Sequence, residues 1–342
     1  MSKSTQGAFN RNFARKRKKN HSVEELKNMI PLGDLNALSE AMTLIESEKQ
    51  MPQMLDLLQS AQDASFDFKS KRIAITGSPG VGKSSMIESF GLYLLDKGHR
   101  IAVLAIDPSS QISGGSILGD KTRMEKMSAH PNAFIRPSPA RDFLGGVASH
   151  TKEFITLCEY AKYDYILIET VGVGQSETYV KNITDCTILL LQPGAGDDLQ
   201  GIKRGIVEIA DIVLITKADG EQYNQAIKTR NFYKDALRYF VHPLSNWKVS
   251  SLLFSSQMHQ GDDELYRLIH DYFTVVEDSG YLSKLRKQQN LKWLNEELSK
   301  YIIRRYREKH HINTQEINAL ANDRQINIYE TFSTLISDYK NL

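Results

Sequence analysis

At 342 residues, 41% hydrophobic and 25% charged, the chain has the make-up of a soluble globular protein, which excludes collagen-like, low-complexity and wholly disordered classes. No apolar run approaches the roughly 18 residues that cross a bilayer; the two cysteines, Cys158 and Cys186, cannot build a disulfide framework or a four-cysteine zinc site, and a reducing compartment is the natural reading. The net charge of +2 hides an asymmetry: seven of the 43 basic residues lie in residues 1–22, which hold no acid, leaving 36 against 41 acidic residues in the body, a balance that argues against a broad nucleic-acid surface.

The basic tail, RNFARKRKKN, lacks the apolar stretch of a secretory signal. It reads as a solvated flexible end, with an organellar transit segment as the alternative. Ser22 followed by Glu25 fits a capping box and predicts a helix to about Ile30, which Pro31 and Gly33 break. Leu35, Leu38, Met42 and Ile45 then recur at helical spacing, and MLDLLQSAQ makes a third short helix before a polar joint at 67–71. Residues 23–70 are therefore read as a helical preface.

From Arg72 the pattern changes to short β-branched runs alternating with amphipathic helices. The runs are RIAIT (72–76), RIAVLAID (100–107), AFIRP (133–137), YDYILIET (163–170), CTILLLQP (186–193), IVLITKAD (212–219) and a weaker NWKVSSL (246–252). Continuous apolar strands separated by helices are what a parallel sheet covered on both faces requires. One doubly wound α/β domain is expected over 71–278. Beyond Ser279 the pattern is helical: Leu291, Leu294, Leu298 and Ile302 form one stripe, and Ile317, Leu320, Ile328, Phe332 and Leu335 predict further helices. Residues 279–342 are expected to pack on the α/β domain or on a second subunit. No repeat at solenoid periods is present.

The strongest chemical signal is Gly77-Ser78-Pro79-Gly80-Val81-Gly82-Lys83-Ser84, directly after a strand and opening a helix. Glycines let backbone amides wrap a phosphate, and the helix N-terminus adds its positive dipole end. Lys83 is placed to reach the β- and γ-phosphates, Ser84 to ligate Mg²⁺, and Ser85 falls in the same phosphate-binding turn. Mg²⁺ needs hard oxygen ligands. Asp107 and Glu169 end strands facing the ligand crevice, and Asp120 follows in the loop SGGSILGDKTRM. Glu169 stands where many P-loop enzymes carry Asp; its longer arm points to contact through metal-bound water or to orienting the attacking water. Thr216-Lys217-Ala218-Asp219 closes the sixth strand, where a carboxylate accepts from guanine N1 and the 2-amino group. Adenine would leave it unpaired. Ser251 and Leu252, one strand–helix unit later, are the candidates for a second base contact.

Together GSPGVGKS, AIDPSS, GGSILGDKTRM, ETVGVGQSE, QPGAGDDLQGIKRGI and TKADG, with GDLNALSEAMTLIES in the preface, resemble the MeaB/ArgK/MMAA family of P-loop GTPases over about residues 23–310. That resemblance implies a fold of the SIMIBI class, a mostly parallel doubly wound sheet with an N-terminal helical segment and a C-terminal helical dimerisation arm. It implies GTP hydrolysis with Mg²⁺ by a homodimer that serves an adenosylcobalamin-dependent acyl-CoA mutase, chiefly methylmalonyl-CoA mutase, gating cofactor loading, protection or rescue. No cobalamin site of its own is expected, nor a membrane or specific nucleic-acid partner, and a bacterial cytosol is preferred to a mitochondrial matrix. It also places Asp107 and Asp120 in a switch I region and Glu169 at the head of switch II. Residues 192–204 match a further mobile loop that senses the mutase, in which Gln200 and Lys203 swing toward the nucleotide once the partner binds. A cation arriving only on complex formation would make hydrolysis partner-dependent.

Two departures from the family pattern stand out. Thr216 replaces the commoner Asn and removes a loop-bracing amide, and SSLLFSSQMHQGDDELY is longer than the usual stretch around the second base contact. A metal-insertion GTPase would need a cysteine pair or His-rich tract, and neither is present. A kinase of a transport component would need adenine preference, against which Asp219 argues. A scaffold with a purely structural P-loop would not need the full set of metal and base residues. Both cysteines are read as core thiols.

Overall fold

The computed structural model describes residues 21–47, 51–64, 70–107, 124–139, 150–170, 180–194, 210–237 and 246–309. Ser22 caps the first helix, α1 (Val23–Met29): its hydroxyl accepts from the Glu25 amide at 3.3 Å, while Glu25 accepts from the Ser22 amide at 2.7 Å. Both halves of the capping box are present. Pro31 does not end the helical course. It sits in the first turn of a 3-10 segment, Ile30–Leu32, where a missing N–H costs nothing, and Gly33 at φ 85° in the left-handed region closes that turn. In α2 (Leu35–Ser47) the predicted stripe buries Leu38, Met42 and Ile45, whereas Leu35 stays exposed. The third helix, α3 (Met51–Ala64), buries Met54, Leu57 and Ala61.

Seven strands follow with helices between them: β1 (Lys71–Gly77), α4 (Lys83–Asp96), β2 (Ile101–Asp107), α5 (Glu125–Ser128), β3 (Ala133–Pro139), α6 (Thr151–Tyr160), β4 (Tyr165–Glu169), β5 (Cys186–Leu191), β6 (Ile212–Ile215), α7 (Tyr223–Leu237) and β7 (Ser250–Leu253). The sheet order is β3-β2-β4-β1-β5-β6-β7 and every pairing is parallel. Such a sheet must be covered on both faces, which is why β1 and β5 are buried along nearly their whole length. Ala74, Leu104, Ile166 and Ile168 meet α1–α3 and α6 in one core, and Leu189, Leu191, Val213 and Ile215 meet α7 in another. Side chains alternate along a strand and the β1–β5 register pairs Ala74 with Thr187, so these two cores share one face of the sheet. On the opposite face α4 lies against β1, β2 and β4 and is joined by α8 (Asp262–Asp278).

The last strand is shorter than its sequence run. It begins at Ser250, because Trp247 leaves the strand path to bury its ring and donate from Nε1 to Asp211 O at 2.8 Å. Cys158 and Cys186 are buried free thiols, both pushed up by burial, in keeping with a packing role. Two compact units divide the chain after Ser283, and α9 (Tyr281–Lys309) supplies the described part of the second. Along it Leu291, Leu294, Leu298 and Ile302 are 46–55% exposed.

Candidate functional site

The chain leaves β1 toward β2 and β3 on one side, returns to β4, and crosses to β5 on the other side of β1. The switch point of the sheet therefore lies beside the C-terminal end of β1, where open α/β sheets bind ligands. The loop 77–82 occupies that position. Gly77 at φ 149° admits no side chain: a Cβ there would meet Leu190 O at 2.6 Å. Gly80 and Gly82, at φ 75° and 102°, take left-handed conformations in open space. Val81 N–H donates to Ser78 O at 3.3 Å and Met86 N–H to Gly82 O at 2.9 Å, so the loop runs directly into α4. Its first two residues are Lys83 and Ser84. Lys83 Nζ bridges Gly77 O at 2.8 Å and Ser78 O at 3.2 Å, lying across the loop that it closes.

The Ser84 hydroxyl donates to Glu169 Oε1 at 2.8 Å. Helix α4 brings the serine and the end of β4 brings the carboxylate, a convergence that follows from β4 pairing directly with β1. Asp107 closes β2 at the same C-terminal edge, and its side chain lies outside the described part. Asp120, Gln200 and Lys203 also lie outside the described residues. Gln192 follows β5, and Gly194 N–H donates to Thr229 Oγ1 at 2.9 Å.

The base-reading candidates are brought to the same edge. Thr216 is buried, and its hydroxyl lies 2.7 Å from Val81 O and 3.1 Å from Leu191 O. The brace expected to vanish with asparagine is thus made by a hydroxyl, and it ties the β6 loop to the phosphate loop. Lys217 takes a left-handed conformation at φ 52°, uncommon for a residue with a Cβ. Ala218 N–H donates to Phe254 O at 3.1 Å.

Ser251 and Leu252 are not brought to Asp219. Both lie inside β7, and Ser251 Oγ faces Arg230 O on α7. The hydroxyl that meets Asp219 belongs to Ser255, which is fully buried just past the strand and donates to Asp219 Oδ2. It lies four residues beyond the serine that the sequence pattern singles out. The segment SSLLFSS holds two serine pairs, and only the end of β7 at Leu253 decides which pair enters the loop. The spacing before Gly261 was the available signal.

Residues 38–311 match the family model described as methylmalonyl Co-A mutase-associated GTPase MeaB. The GTPase ArgK of Escherichia coli is 41% identical over 271 residues, 79% of this chain and 82% of that protein. The mouse protein named methylmalonic aciduria type A homolog, mitochondrial, is 42% identical over 287 residues, 81% of this chain and 69% of its own length. A crystal structure described as an LAO/AO transport system kinase superposes with a TM-score of 0.71 at 30% identity, covering 94% of this chain and 98% of that one. With the phosphate loop at the switch point of an all-parallel sheet, the chain belongs to the MeaB family and is a P-loop GTPase.

Proposed function

We propose that this GTPase is a chaperone for an adenosylcobalamin-dependent acyl-CoA mutase, methylmalonyl-CoA mutase first among them, and that its nucleotide state gates cofactor loading, protection or reactivation. The observation that carries the reading is the MeaB match across 38–311, joined by the 42% identity to the mouse relative. Loop 77–85 would hold the phosphates, with Lys83 moving from its loop carbonyls to the β- and γ-oxygens. Asp219 would read the base, held by Ser255. Hard oxygen donors converge at Ser84 and Glu169, a donor set that suits Mg²⁺, and Asp107 and Asp120 would complete its surroundings. The ion would neutralise phosphate charge. Glu169 Oε1 and the Ser84 hydroxyl, already in contact, would orient one another around it.

Gln200 and Lys203 would approach the nucleotide only in the complex, so the partner would set the hydrolysis rate. The arm over 279–342 would form the homodimer, which the exposed stripe Leu291, Leu294, Leu298 and Ile302 supports. Residues 71–278 would be the nucleotide-binding domain, preceded by the helical segment 23–70 and the basic tail 1–22. The proposed setting is a bacterial cytosol; among the described residues no helix is long and apolar enough to cross a membrane.

The deciding experiment is GTP turnover, with ATP as control, in the presence and absence of the mutase. Slow GTP hydrolysis that the mutase accelerates is expected, and Lys203→Ala should keep the basal rate while blunting the acceleration. Turnover indifferent to the mutase would remove the partner from the reading. Preference for ATP would favour a second reading, a kinase of a transport component, for which the description of the superposed crystal structure is the motive.

A further inference from the structure

The segment after β7 forms a closed loop. Ser255 N–H donates to Gln260 O at 3.0 Å, and Gln260 N–H donates back to Ser255 O at 3.1 Å. Within it Met258 N–H donates to Ser255 Oγ at 3.1 Å, and that hydroxyl donates in turn to Asp219 Oδ2. Where the loop sits therefore decides where the Asp219 carboxylate points. Behind it Ser89, Tyr93, His259 and Asp262 line a cavity of about 1010 Å³ together with the apolar Leu92 and Phe254. Residues 257–260 are exposed.

One side chain reaches back across that space. His259 Nδ1 stands 3.2 Å from Ser89 Oγ, on the buried face of α4. Beside this contact Asp262 is buried at the start of α8; burial pushes its carboxyl up, while the nearby His259 and Ser89 favour its charged form. His259 itself adopts φ 50°, a left-handed conformation uncommon for a residue with a Cβ. At the far end Gly261, at φ 96°, lies so close to β7 that a Cβ would meet Leu253 O at 2.6 Å. The loop is pinned there by backbone and at its tip by the histidine.

We infer that His259 is a positioning residue for base recognition. Through Ser89 it tethers the 255–260 loop to α4 and so holds the Asp219–Ser255 pair in register with Lys83 and Ser84, which open the same helix. The inference rests on the base-reading role proposed for Asp219.

The test is GTP turnover by variants of the full chain, with KM and kcat read separately. His259→Gly keeps the left-handed backbone without strain and removes the tether. Its KM for GTP is expected to rise about five- to tenfold, the worth of one hydrogen bond, with kcat held within about twofold. His259→Asn should restore the wild-type KM, since asparagine tolerates this conformation and its amide atoms sit one bond beyond Cγ, as Nδ1 does. Ser89→Ala should match His259→Gly, and the double variant should be no worse than either. Unchanged KM in His259→Gly, additive losses in the double variant, or a fall in kcat as large as the rise in KM would each overturn the tether. Asp219→Asn separates this from the reading beneath it. Intact guanine preference in that variant would remove the base-reading role itself; lost preference there, with a normal KM in His259→Gly, would remove the tether alone.

Discussion

Ser84 and Glu169, 85 residues apart in sequence, meet through a 2.8 Å hydrogen bond from hydroxyl to carboxylate. One group opens α4 and the other closes β4, so the contact joins the phosphate-binding helix to the strand that leads into residues 170–177. Ser84→Ala removes the hydroxyl and leaves the loop backbone in place. GDP affinity in the presence of Mg²⁺ should fall by at least about tenfold, roughly 1.4 kcal/mol, while affinity in EDTA stays near wild type. Titration with a fluorescent GDP analogue in the two buffers reads the difference, and an equal loss in both would detach Ser84 from the metal.

Lys83→Ala should abolish measurable nucleotide binding. The side chain contributes a charge to the phosphates, and it also closes the loop through Gly77 O and Ser78 O. Isothermal titration with GTP checks this; retained micromolar affinity would overturn the phosphate-site assignment.

The three loop glycines should not respond alike to substitution. At Gly77 an added methyl meets Leu190 O at 2.6 Å, whereas at Gly82 nothing lies within 4 Å and only the left-handed backbone resists. Gly77→Ala is expected to cost about 2–4 kcal/mol of stability and Gly82→Ala about 1–2 kcal/mol. Urea denaturation of the two variants decides it, and a reversed order would contradict the backbone approach seen at Gly77.

Far from the nucleotide edge, Arg72 and Glu159 form a bidentate pair with both distances at 2.8 Å, and both residues are buried. Glu159→Leu strands a buried guanidinium and should cost about 3–5 kcal/mol, whereas Arg72→Met with Glu159→Leu together should cost much less. Melting temperatures of the single and double variants test this. A double variant as unstable as the single would show that the pair is needed as such.

Asp211 gives the fold a pH dependence of known sign. Burial pushes its carboxyl up to about 6 from 3.8, against the Thr187 amide that donates to it at 2.8 Å. Between those values the folded chain holds more protons than the unfolded one, so this group's contribution to stability falls as pH rises from about 4 to 6 and is level above that. Asp211→Asn can still accept from Thr187 and carries no charge. Relative to wild type it should gain on the order of 1–3 kcal/mol across that window. Chemical denaturation from pH 4 to pH 8 measures the difference, and a flat difference would show that Asp211 titrates at its ordinary value.

Much of this protein is written locally in its chain. The phosphate loop, the strand runs and the Ser22–Glu25 cap depend on neighbours a few residues apart, so composition and spacing reveal them. The register of short edge elements is not local. Nothing in SSLLFSS says that β7 stops at Leu253, and the stop alone puts Ser255 rather than Ser251 beside Asp219. Thr216 looked like a lost brace until folding set its hydroxyl against Val81 O, 135 residues away. Likewise the exposed His259 gains a partner only because α4 packs under its loop. Hydrophobic patterning is set by each segment's own burial, whereas hydrogen bonds between distant segments depend on the order and termination of strands, which only the packed sheet decides.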